Sequence, residues 1–467
     1  MSTEITFVAP VSRSSLSSLE SLPNEIWIFR LMCYLSHSTL FALALSSRRL
    51  HSLVWPRLFH SIHLLTTDTV NAVVPSWSHS KYDIFPVIRS LWFGCTAMYP
   101  VPAYPSHPRN RSLLSTKWAT IMVPRLSHLS SLHLVEVCLP PSFPADLHLL
   151  SNVRHLVIRG CCLSASTSFL QFSYPLTQLH IEGLCWHDHA SHSFELIRAC
   201  PELDVLKIDW FRYLYDEEAF LPVKLTSLVV QLPFLSSSES VSRFALSTLG
   251  QCISTLSSIS SFFVEGPSPS ISVIDCSQTF FPPSVTKFVG PLTFLSLAGQ
   301  SHIGLRHVVL TDEDLLLPQL FSTLPSLPAT QIFSAHVLEC DLPLFQMVAS
   351  RLPVLENLII AFSSIGLQAP LTFQTVIEAL PLFPSLHGLV LPSQRRCTKH
   401  IDEKILRHWK RVCPTLESVI VGRLSWGWTG RFWLSKGVQT EQAFKTANVQ
   451  FRGSPLCTYN FRQFSCP

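Results

Sequence analysis

The stretch PELDVLKI (residues 201–208) carries a pattern, Pro-x-apolar-x-x-apolar-x-apolar, that recurs at PVLENLII (353–360), PSLHGLVL (384–391) and PTLESVIV (414–421). Weaker copies are LSSLHL (129–134), VRHLVI (153–158), LTQLHI (176–181), LTSLVV (225–230), ISSFFV (259–264) and LRHVVL (305–310). Most neighbouring copies lie roughly 22 to 34 residues apart, a spacing that is typical of repeats stacked into a solenoid. The chain from about residue 125 to 424 is therefore predicted to be a series of repeats.

Each clear copy follows a segment with helical periodicity, so the repeating unit is predicted to be helix, Pro turn and strand. The predicted helices are HSFELIRAC (192–200), LFQMVASRL (344–352), FQTVIEALPLF (373–383) and EKILRHWKRVC (403–413). Leu206 and Ile208 point to one face of a short strand, and Lys207 between them points to the other. Stacked units pair their strands into a parallel sheet, which gives an α/β solenoid with one core. Its broad concave face, the natural partner surface, is predicted to carry Lys207, His133, His155 and His180.

Composition fits a chain that buries much of its length. Hydrophobic residues make up 47% of the 467 residues, charged residues only 14%, and the mean hydropathy is +0.31. These values exclude intrinsic disorder. A net charge of +4 is too small to suggest a nucleic-acid or anionic-lipid partner. The 14 cysteines are scattered, as expected of reduced thiols rather than of a disulfide framework.

The longest uncharged apolar stretch, 315–338, is interrupted by three prolines, so we expect buried structure there and no membrane span. The N-terminus lacks a basic start followed by an apolar run, so no signal peptide is expected either. These observations predict a cytoplasmic or nuclear protein, or one found in both compartments.

The N-terminal region has a different pattern. Residues 1–20 are rich in Ser and are predicted to be a flexible tail. From Ser21 onward, SLPNEIWIFRLMCYL and STLFALALSSRRLHSL have the capping residues and apolar spacing of three compact helices. WPRLFHSIHL (55–64) then enters a first strand in which Ile62 and Leu64 alternate with polar residues.

This N-terminal segment (21–65) resembles the F-box, the adaptor-binding module of cullin-RING ubiquitin ligases. The resemblance rests on Leu22-Pro23-x-Glu25-Ile26, on Tyr34-Leu35, on Leu40 and Leu43, on Ser47-Arg48-Arg49, and on an extension at 55–64 like that of many fungal F-box proteins. It implies docking of a Skp-type adaptor, and through it a cullin, with an apolar surface or its support formed by Leu22, Pro23, Ile26, Leu35, Leu40 and Leu43. One residue more than the usual spacing separates Ile26 from Leu35. A plain helical cap on a repeat scaffold, with no adaptor site, is therefore the alternative.

The repeats resemble degenerate leucine-rich repeats, whose core is L-x-x-L-x-L-x-x-N/C. Only the copy with Val153, Leu156 and Ile158 also supplies the final Cys, Cys161, which would satisfy backbone groups at the turn. Together the two resemblances imply a substrate receptor that performs no chemistry and presents a protein target for ubiquitination. The expected organisation is a tail (1–20), an F-box (21–65), a linker with the first irregular repeats (66–124), the solenoid (125–424) and a C-terminal cap (425–467).

No catalytic, cofactor or metal site is predicted. The sequence has no Gly-x-Ser-x-Gly, Gly-x-Gly-x-x-Gly or His-Glu-x-x-His motif and no phosphate-binding loop. The segment Cys185-Trp186-His187-Asp188-His189 lacks a second pair of ligands for zinc, so it is interpreted as a polar loop. Near the end, Trp426, Trp428, Arg431 and Trp433 have the composition of a partner-binding patch. The alternative is that they cover the open end of the solenoid.

Overall fold

The structure is a computed structural model, and it divides the chain into two compact units, Met1–Leu203 and Asp204–Pro467. The residues that it describes are 23–24, 27, 31–64, 84–94, 112–113, 123–163, 168–183, 185–186, 191–209, 221–231, 249, 253, 256–266, 281–296, 304–312, 315–362, 372–391, 403–422 and 424–438. Within these ranges, no helix has the length and apolar character needed to cross a membrane.

The first unit begins with helices α1 (His37–Ser46) and α2 (Arg48–Leu58), preceded by a 3-10 turn at Met32–Tyr34. Both helices start at a serine whose hydroxyl accepts a backbone N–H: Ser36 from Thr39 and Ser47 from Leu50. Helix α2 continues through Pro56 to Leu58, where the sequence had been expected to turn. The predicted first helix of this region lies mostly outside the described residues.

A parallel sheet follows in the first unit. Its strands are β1 (Ser61–Leu64), β2 (Ser90–Gly94), β4 (Ser131–Val135), β6 (His155–Arg159) and β8 (Gln178–Glu182). Each strand pairs in parallel with the next in register. The core side of the sheet carries two apolar rows that are almost completely buried, for example Leu132 and Leu134 on β4. The parallel sheet thus begins at Ser61, well before residue 125.

A second, smaller parallel sheet runs beside the first. Its strands are β3 (Ser112–Leu113), β5 (Val137–Leu139), β7 (Cys162–Leu163) and β9 (Cys185–Trp186). A left-handed residue separates each main strand from its short strand: Glu136, Gly160 and Gly183 have φ between 55° and 60°. Only two of these three residues are glycines. The left-handed conformation is therefore imposed by the geometry of the repeat and does not depend on glycine alone. The sequence pattern did not predict this second sheet.

Cys161 behaves as the repeat pattern predicts. Its thiol donates to the Leu134 carbonyl oxygen of the preceding repeat at 3.4 Å and to the Arg159 carbonyl oxygen at 3.5 Å. Helices α3 (Phe143–Leu149) and α4 (Ser191–Arg198) complete the described helices of this unit. Cys161 therefore ties the turn after β6 to the neighbouring strand.

The second unit continues the same construction. Its strands are β10 (Val205–Asp209), β11 (Ser227–Gln231), β12 (Ser261–Glu265), β13 (Lys287–Gly290), β14 (His307–Leu310), β15 (Ile332–Val337), β16 (Asn357–Phe362), β17 (Gly388–Leu391) and β18 (Ser418–Val421). Each pairs in parallel with the next. A final antiparallel hairpin is formed by β19 (Leu424–Trp428) and β20 (Trp433–Val438).

Helices of the second unit precede several of these strands. They are α5 (Leu292–Ser296), α6 (Leu317–Thr323), α7 (Leu342–Arg351), α8 (Phe373–Ala379) and α9 (Glu403–Val412). A 3-10 turn at Leu380–Leu382 extends α8. The four helices predicted before the clear copies and the ten strands predicted from the repeat pattern are all found, so the predicted α/β architecture of stacked units with a parallel sheet is confirmed.

One hydrogen-bond pattern repeats at the start of the strands and fixes their register. The carbonyl oxygen of Glu356 accepts both the His387 and the Gly388 backbone N–H, at 2.7 and 2.9 Å, and the carbonyl oxygen of His387 accepts those of Glu417 and Ser418. The same shared carbonyl recurs from His60 in the first unit onward. The leucine of the Pro-x-Leu turn, such as Leu386, is completely buried. Each repeat is therefore anchored to its predecessor by backbone bonds and by a buried leucine.

Candidate partner-binding surfaces

The N-terminal helices enclose a small core of their own. Its buried members are Trp27, Met32, Leu40, Ala44, Leu50, Val54 and Leu58. Leu35 and Leu43 pack against this core and are half-buried, whereas Pro23 is exposed. Leu22 and Ile26 lie outside the described residues. Of the predicted adaptor-contacting residues, Leu35, Leu40 and Leu43 are thus placed as support for a surface.

Three large apolar side chains are exposed on α1 and on the 3-10 turn before it. Tyr34 is 87% exposed, Phe41 54% and Leu45 73%. Phe41 and Leu45 are four residues apart and therefore adjacent on one helix face. Sequence reasoning did not single out Phe41 and Leu45, although their apolar character next to the buried Leu40 and Ala44 was a usable signal. Solvent-exposed apolar side chains grouped in this way are typical of a partner-binding surface.

The outer face of the first sheet, opposite the core rows, carries a cluster of rings. We call His63, Trp92, His133, His155 and His180 the imidazole–tryptophan cluster. His63 stacks on Trp92 with ring centroids 5.2 Å apart, and Trp92 stacks on His133 at 3.8 Å and 8°. His133 meets His155 edge to face at 5.0 Å. Register explains the stack, because His63, Trp92 and His133 lie side by side on β1, β2 and β4.

A serine joins two of these imidazoles. The Ser131 hydroxyl lies 2.8 Å from His133 Nε2 and 3.1 Å from His155 Nδ1. The other nitrogens, His133 Nδ1 and His155 Nε2, are buried and have no hydrogen-bond partner among the described residues. Leaving a buried polar atom unpaired costs about 1–3 kcal/mol, so these two nitrogens are unusual within a folded sheet.

The buried imidazoles are neutral at physiological pH. Burial, followed by the charges of His155, His180 and His63, lowers the pKa of His133 to about 3. Burial, followed by the charge of His180, lowers the pKa of His155 to about 4. Next to them, Glu182 lies 3.2 Å from His180 Nε2 and 3.4 Å from Arg159 Nε. The cluster therefore offers uncharged rings beside one ionic group.

The expectation that His133 and Lys207 are solvent-exposed is wrong. His133 is only 8% exposed because Trp92 stacks over its ring, and Lys207 is 4% exposed. The Lys207 ammonium lies 2.6 Å from a Glu265 carboxylate oxygen two strands away, so the side chain crosses the outer face of β11. His155 and His180 are half-buried on the predicted face.

In the second unit, the outer face of the parallel sheet is apolar from β11 to β14. Val229, Phe263, Val289 and Val309 form a second buried cluster, which is separate from the main core. They occupy equivalent positions on β11 to β14. The Lys287 ammonium lies over the Phe263 ring at 5.2 Å. A charged residue thus covers part of this apolar row.

The C-terminal hairpin extends the sheet beyond β18. Trp433 is buried, whereas Trp426 and Trp428 are half-buried and Arg431 is exposed in the turn. Trp428 and Trp433 are 5.6 Å apart, and Lys410 of α9 lies over the Trp428 ring at 5.4 Å. Trp428 and Trp433 thus contact each other and, through Lys410, the last helix. Their predicted role in partner binding stays a prediction.

Metal-binding groups and buried thiols were the remaining candidates in the described part of the chain. Among those residues, no group of three His, Cys, Asp or Glu side chains is arranged to hold a metal ion. His187, Asp188 and His189 of the candidate loop lie outside them. Burial raises the pKa of the Cys200 and Cys340 thiols above the ordinary range, which keeps them protonated and unreactive.

Comparisons with known proteins give only distant structural similarity. No protein-family model matches the chain, and no match was found among curated proteins. An internalin (InlF) of Listeria monocytogenes is similar with a TM-score of 0.29 and 12% identity over 64% of this chain and 83% of that one. The TLR13–ssRNA13 complex is similar with a TM-score of 0.34 and 13% identity over 73% of this chain and 54% of that one. The Rad7 and Elc1 complex of yeast is similar with a TM-score of 0.33 and 14% identity over 94% of this chain and 100% of that one. Similarity this low carries no inference about function.

Proposed function

We propose that the protein is a non-catalytic substrate-recognition subunit of a Skp-cullin-F-box ubiquitin ligase. The N-terminal helices would dock a Skp-type adaptor, and the repeats would hold the protein target. The observation that carries this proposal is the apolar surface of Tyr34, Phe41 and Leu45, which is held outward by a separate helical core. Its position within a segment that resembles the F-box supports an adaptor as the occupant.

The structure of the repeats supports the second half of the proposal. A parallel sheet built from short units presents a long row of outer-face side chains, and each unit contributes one or two of them. In the first unit these side chains include His63, which is exposed, and Trp92, His155 and His180, which are half-buried. Such a surface suits recognition of a protein target through shape and apolar contact.

Co-purification of the full chain with a Skp-type adaptor tests the proposal. The double variant Phe41→Ala/Leu45→Ala removes two exposed side chains and leaves the buried Leu40 and Ala44 in place. We expect adaptor affinity to fall about tenfold or more, the size of effect seen when interface anchors are truncated. Leu149→Ala is the matched control, because Leu149 is 64% exposed on a helix of the same unit. A folded wild-type chain that retains no adaptor contradicts the proposal.

A repeat scaffold without an adaptor site is the second candidate. It is favoured by the burial of Leu40 and the packing of Leu35 and Leu43, because these residues serve the helical core. Under this alternative, the double variant and the wild type capture the same proteins, and no adaptor is among them. The exposed Pro23 gives a further test. Pro23→Ala weakens adaptor capture only if the adaptor site exists.

A further inference from the structure

The last described helix, α9, concentrates charge in a chain that is otherwise weakly charged. Four Lys and Arg residues and one Glu lie within its ten residues, whereas the net charge of the whole chain is only +4. The side of α9 that packs on the core carries Leu406 and Trp409, which are almost completely buried. The positive charge therefore lies on the remaining surface of the helix.

Three of the four cations form one row on the exposed side of α9. Lys404, Arg407 and Arg411 are all exposed, and we call them the basic stripe. At about 100° per residue they lie within about 60° of the helix circumference, in a row about 10 Å long. The stripe is opposite Leu406 and Trp409, so its charges face solvent.

Lys410, the fourth cation, has a structural role that the stripe lacks. Its ammonium donates to the Leu416 carbonyl oxygen at 2.9 Å and lies over the Trp428 ring at 5.4 Å. Lys404 and Arg411, by contrast, form no ion pair with any described residue. Arg407 pairs only within its own helix, with Glu403 at 2.8 Å. The stripe therefore holds no other described element in place.

The stripe does not serve the stability of α9 either. Lys404 and Arg407 are three residues apart and Arg407 and Arg411 are four apart, and like charges at these spacings repel each other. Lys404 lies in the first turn, where the helix dipole disfavours a cation. Only Arg411, in the last turn, is favoured by the dipole. A negatively charged partner relieves this repulsion, which folding alone leaves in place.

We propose that the basic stripe binds a short acidic segment of a partner protein through its Asp or Glu carboxylates. A guanidinium binds a carboxylate through two parallel N–H groups. Glu403 accepts only two of the five N–H groups of Arg407, so three remain for a partner. The inference goes beyond the proposed function, because it holds whether or not the N-terminal helices dock an adaptor.

The size of the basic stripe favours a protein segment over other anions. Proteins that bind duplex DNA commonly contact about 6–10 phosphates, and segments that bind anionic lipid carry about 4–8 Lys or Arg residues. Three cations in a row about 10 Å long match a few carboxylates instead. Glu403 beside the stripe and the exposed Glu378 on α8 also disfavour a continuous polyanion.

Binding of fluorescently labelled hexaglutamate to the full-length chain at low salt tests the stripe. We expect the affinity to fall as added salt screens the exposed charges, and we expect no binding of the uncharged hexaglutamine. Hexathymidylate and phosphatidylserine vesicles are the competing probes. Preferential binding of either competitor overturns the proposal, as does a folded wild-type chain that does not bind hexaglutamate.

Two double variants separate the stripe from the overall positive charge of the chain. Lys404→Gln/Arg411→Gln removes two cations of the stripe, and we expect the affinity for hexaglutamate to fall about tenfold. Arg57→Gln/Arg306→Gln is the matched control, because both arginines are exposed outside α9 and the change in net charge is the same. We expect this control to bind like the wild type. An equal loss of affinity in the two double variants overturns the proposal.

Thermal melting of the same variants distinguishes binding from a structural role. Because the stripe contacts no other described element, the melting temperature of Lys404→Gln/Arg411→Gln should match that of the wild type. A marked fall would assign the two cations to the stability of α9 and overturn the proposal. Adaptor capture by the same chain reports on the proposed function separately.

Discussion

At the scale of single residues, the alternation of side chains along a strand predicts on which face of the sheet a residue lies, but not how exposed it is. Alternation correctly gives the direction of Lys207 and His133, which lie opposite the core rows. It does not give their exposure, because that depends on neighbours two strands away or stacked alongside. Glu265 reaches Lys207, and Trp92 covers His133. No pattern within one strand contains that information.

The neutral histidines predict that acid destabilises the first unit. In the unfolded chain His133 and His155 titrate near the ordinary pKa of 6.5, but when folded their pKa values are about 3 and 4. Their contribution to stability is therefore complete above pH 6.5 and is lost as the pH falls towards 4. His133 alone contributes on the order of 4 kcal/mol to this loss. We expect the melting temperature of the wild type to fall across this interval.

The variant His133→Phe tests whether titration of His133 causes the loss of stability in acid. Phenylalanine keeps a ring stacked on Trp92 but does not titrate, so the melting temperature should fall less steeply with acid than in the wild type. His148→Phe is the control, because His148 is exposed on α3. If His133→Phe and the wild type show the same pH dependence of melting, His133 is not the titrating group.

Gly94 is predicted to be irreplaceable. It has a φ of +120°, and an added Cβ would overlap the carbonyl oxygen of Val135 on the neighbouring strand. We expect Gly94→Ala to lower the free energy of unfolding by roughly 3 kcal/mol or more, from backbone strain and the clash combined.

Gly430 provides the matched control for Gly94. Its φ is +91°, but an added Cβ meets no atom within 4 Å. Gly430→Ala therefore carries the backbone strain alone, and we expect a loss of about 1–2 kcal/mol. Chemical denaturation of both variants measures the difference. Equal losses would show that the contact with Val135 has no energetic consequence.

At the scale of elements, two of the strands that the sequence analysis missed, β13 and β15, depart from the repeat pattern at identifiable positions. In β13 and β15 the last apolar position is Gly290 and Ala335, and the first position before β15 is Thr330. Thr330 is completely buried and its hydroxyl donates to the Leu305 carbonyl oxygen at 2.9 Å. A hydrogen bond to the preceding repeat thus replaces the usual buried leucine. Hydropathy patterns do not reveal such a replacement.

Helix α7 depends on its N-terminal cap. The Asp341 carboxylate accepts the Leu344 backbone N–H at 3.0 Å, and Pro343 occupies the first turn. We expect Asp341→Ala to destabilise the second unit by about 1 kcal/mol and Asp341→Asn to cost much less, because asparagine also caps helices. Denaturation midpoints check both values. A loss in Asn equal to that in Ala would assign the effect to charge near the helix terminus.

At the scale of the whole molecule, the low charge and high apolar content follow from repetition. Each repeat buries its strand rows against its helix or loop, so hydrophobic residues accumulate in proportion to length. The sequence therefore sufficed for the fold class, the ten pattern-bearing strands and the four helices before the clear copies. It did not reveal the second sheet, whose strands are two or three residues long.

The candidate surfaces were less predictable than the fold. The resemblance pointed to α1, but Phe41 and Leu45 emerged only when the burial of Leu40 and Ala44 fixed the helix face. Likewise, the Ser131 bridge joins β4 and β6, which are separated by residues 136–154 of the chain, and only the parallel register brings its members together. Contacts between repeats define both surfaces, and the local sequence specifies only the repeats.

Hydrogen exchange of the full-length chain, with and without a Skp-type adaptor, tests the central claim most directly. We predict that the adaptor slows exchange in the helical segment that carries Tyr34, Phe41 and Leu45, at 32–46, and leaves the repeat strands unchanged. The Phe41→Ala/Leu45→Ala variant should lose this protection at the same adaptor concentration. Protection confined to the repeat strands, or none at all in a folded chain, would contradict the account.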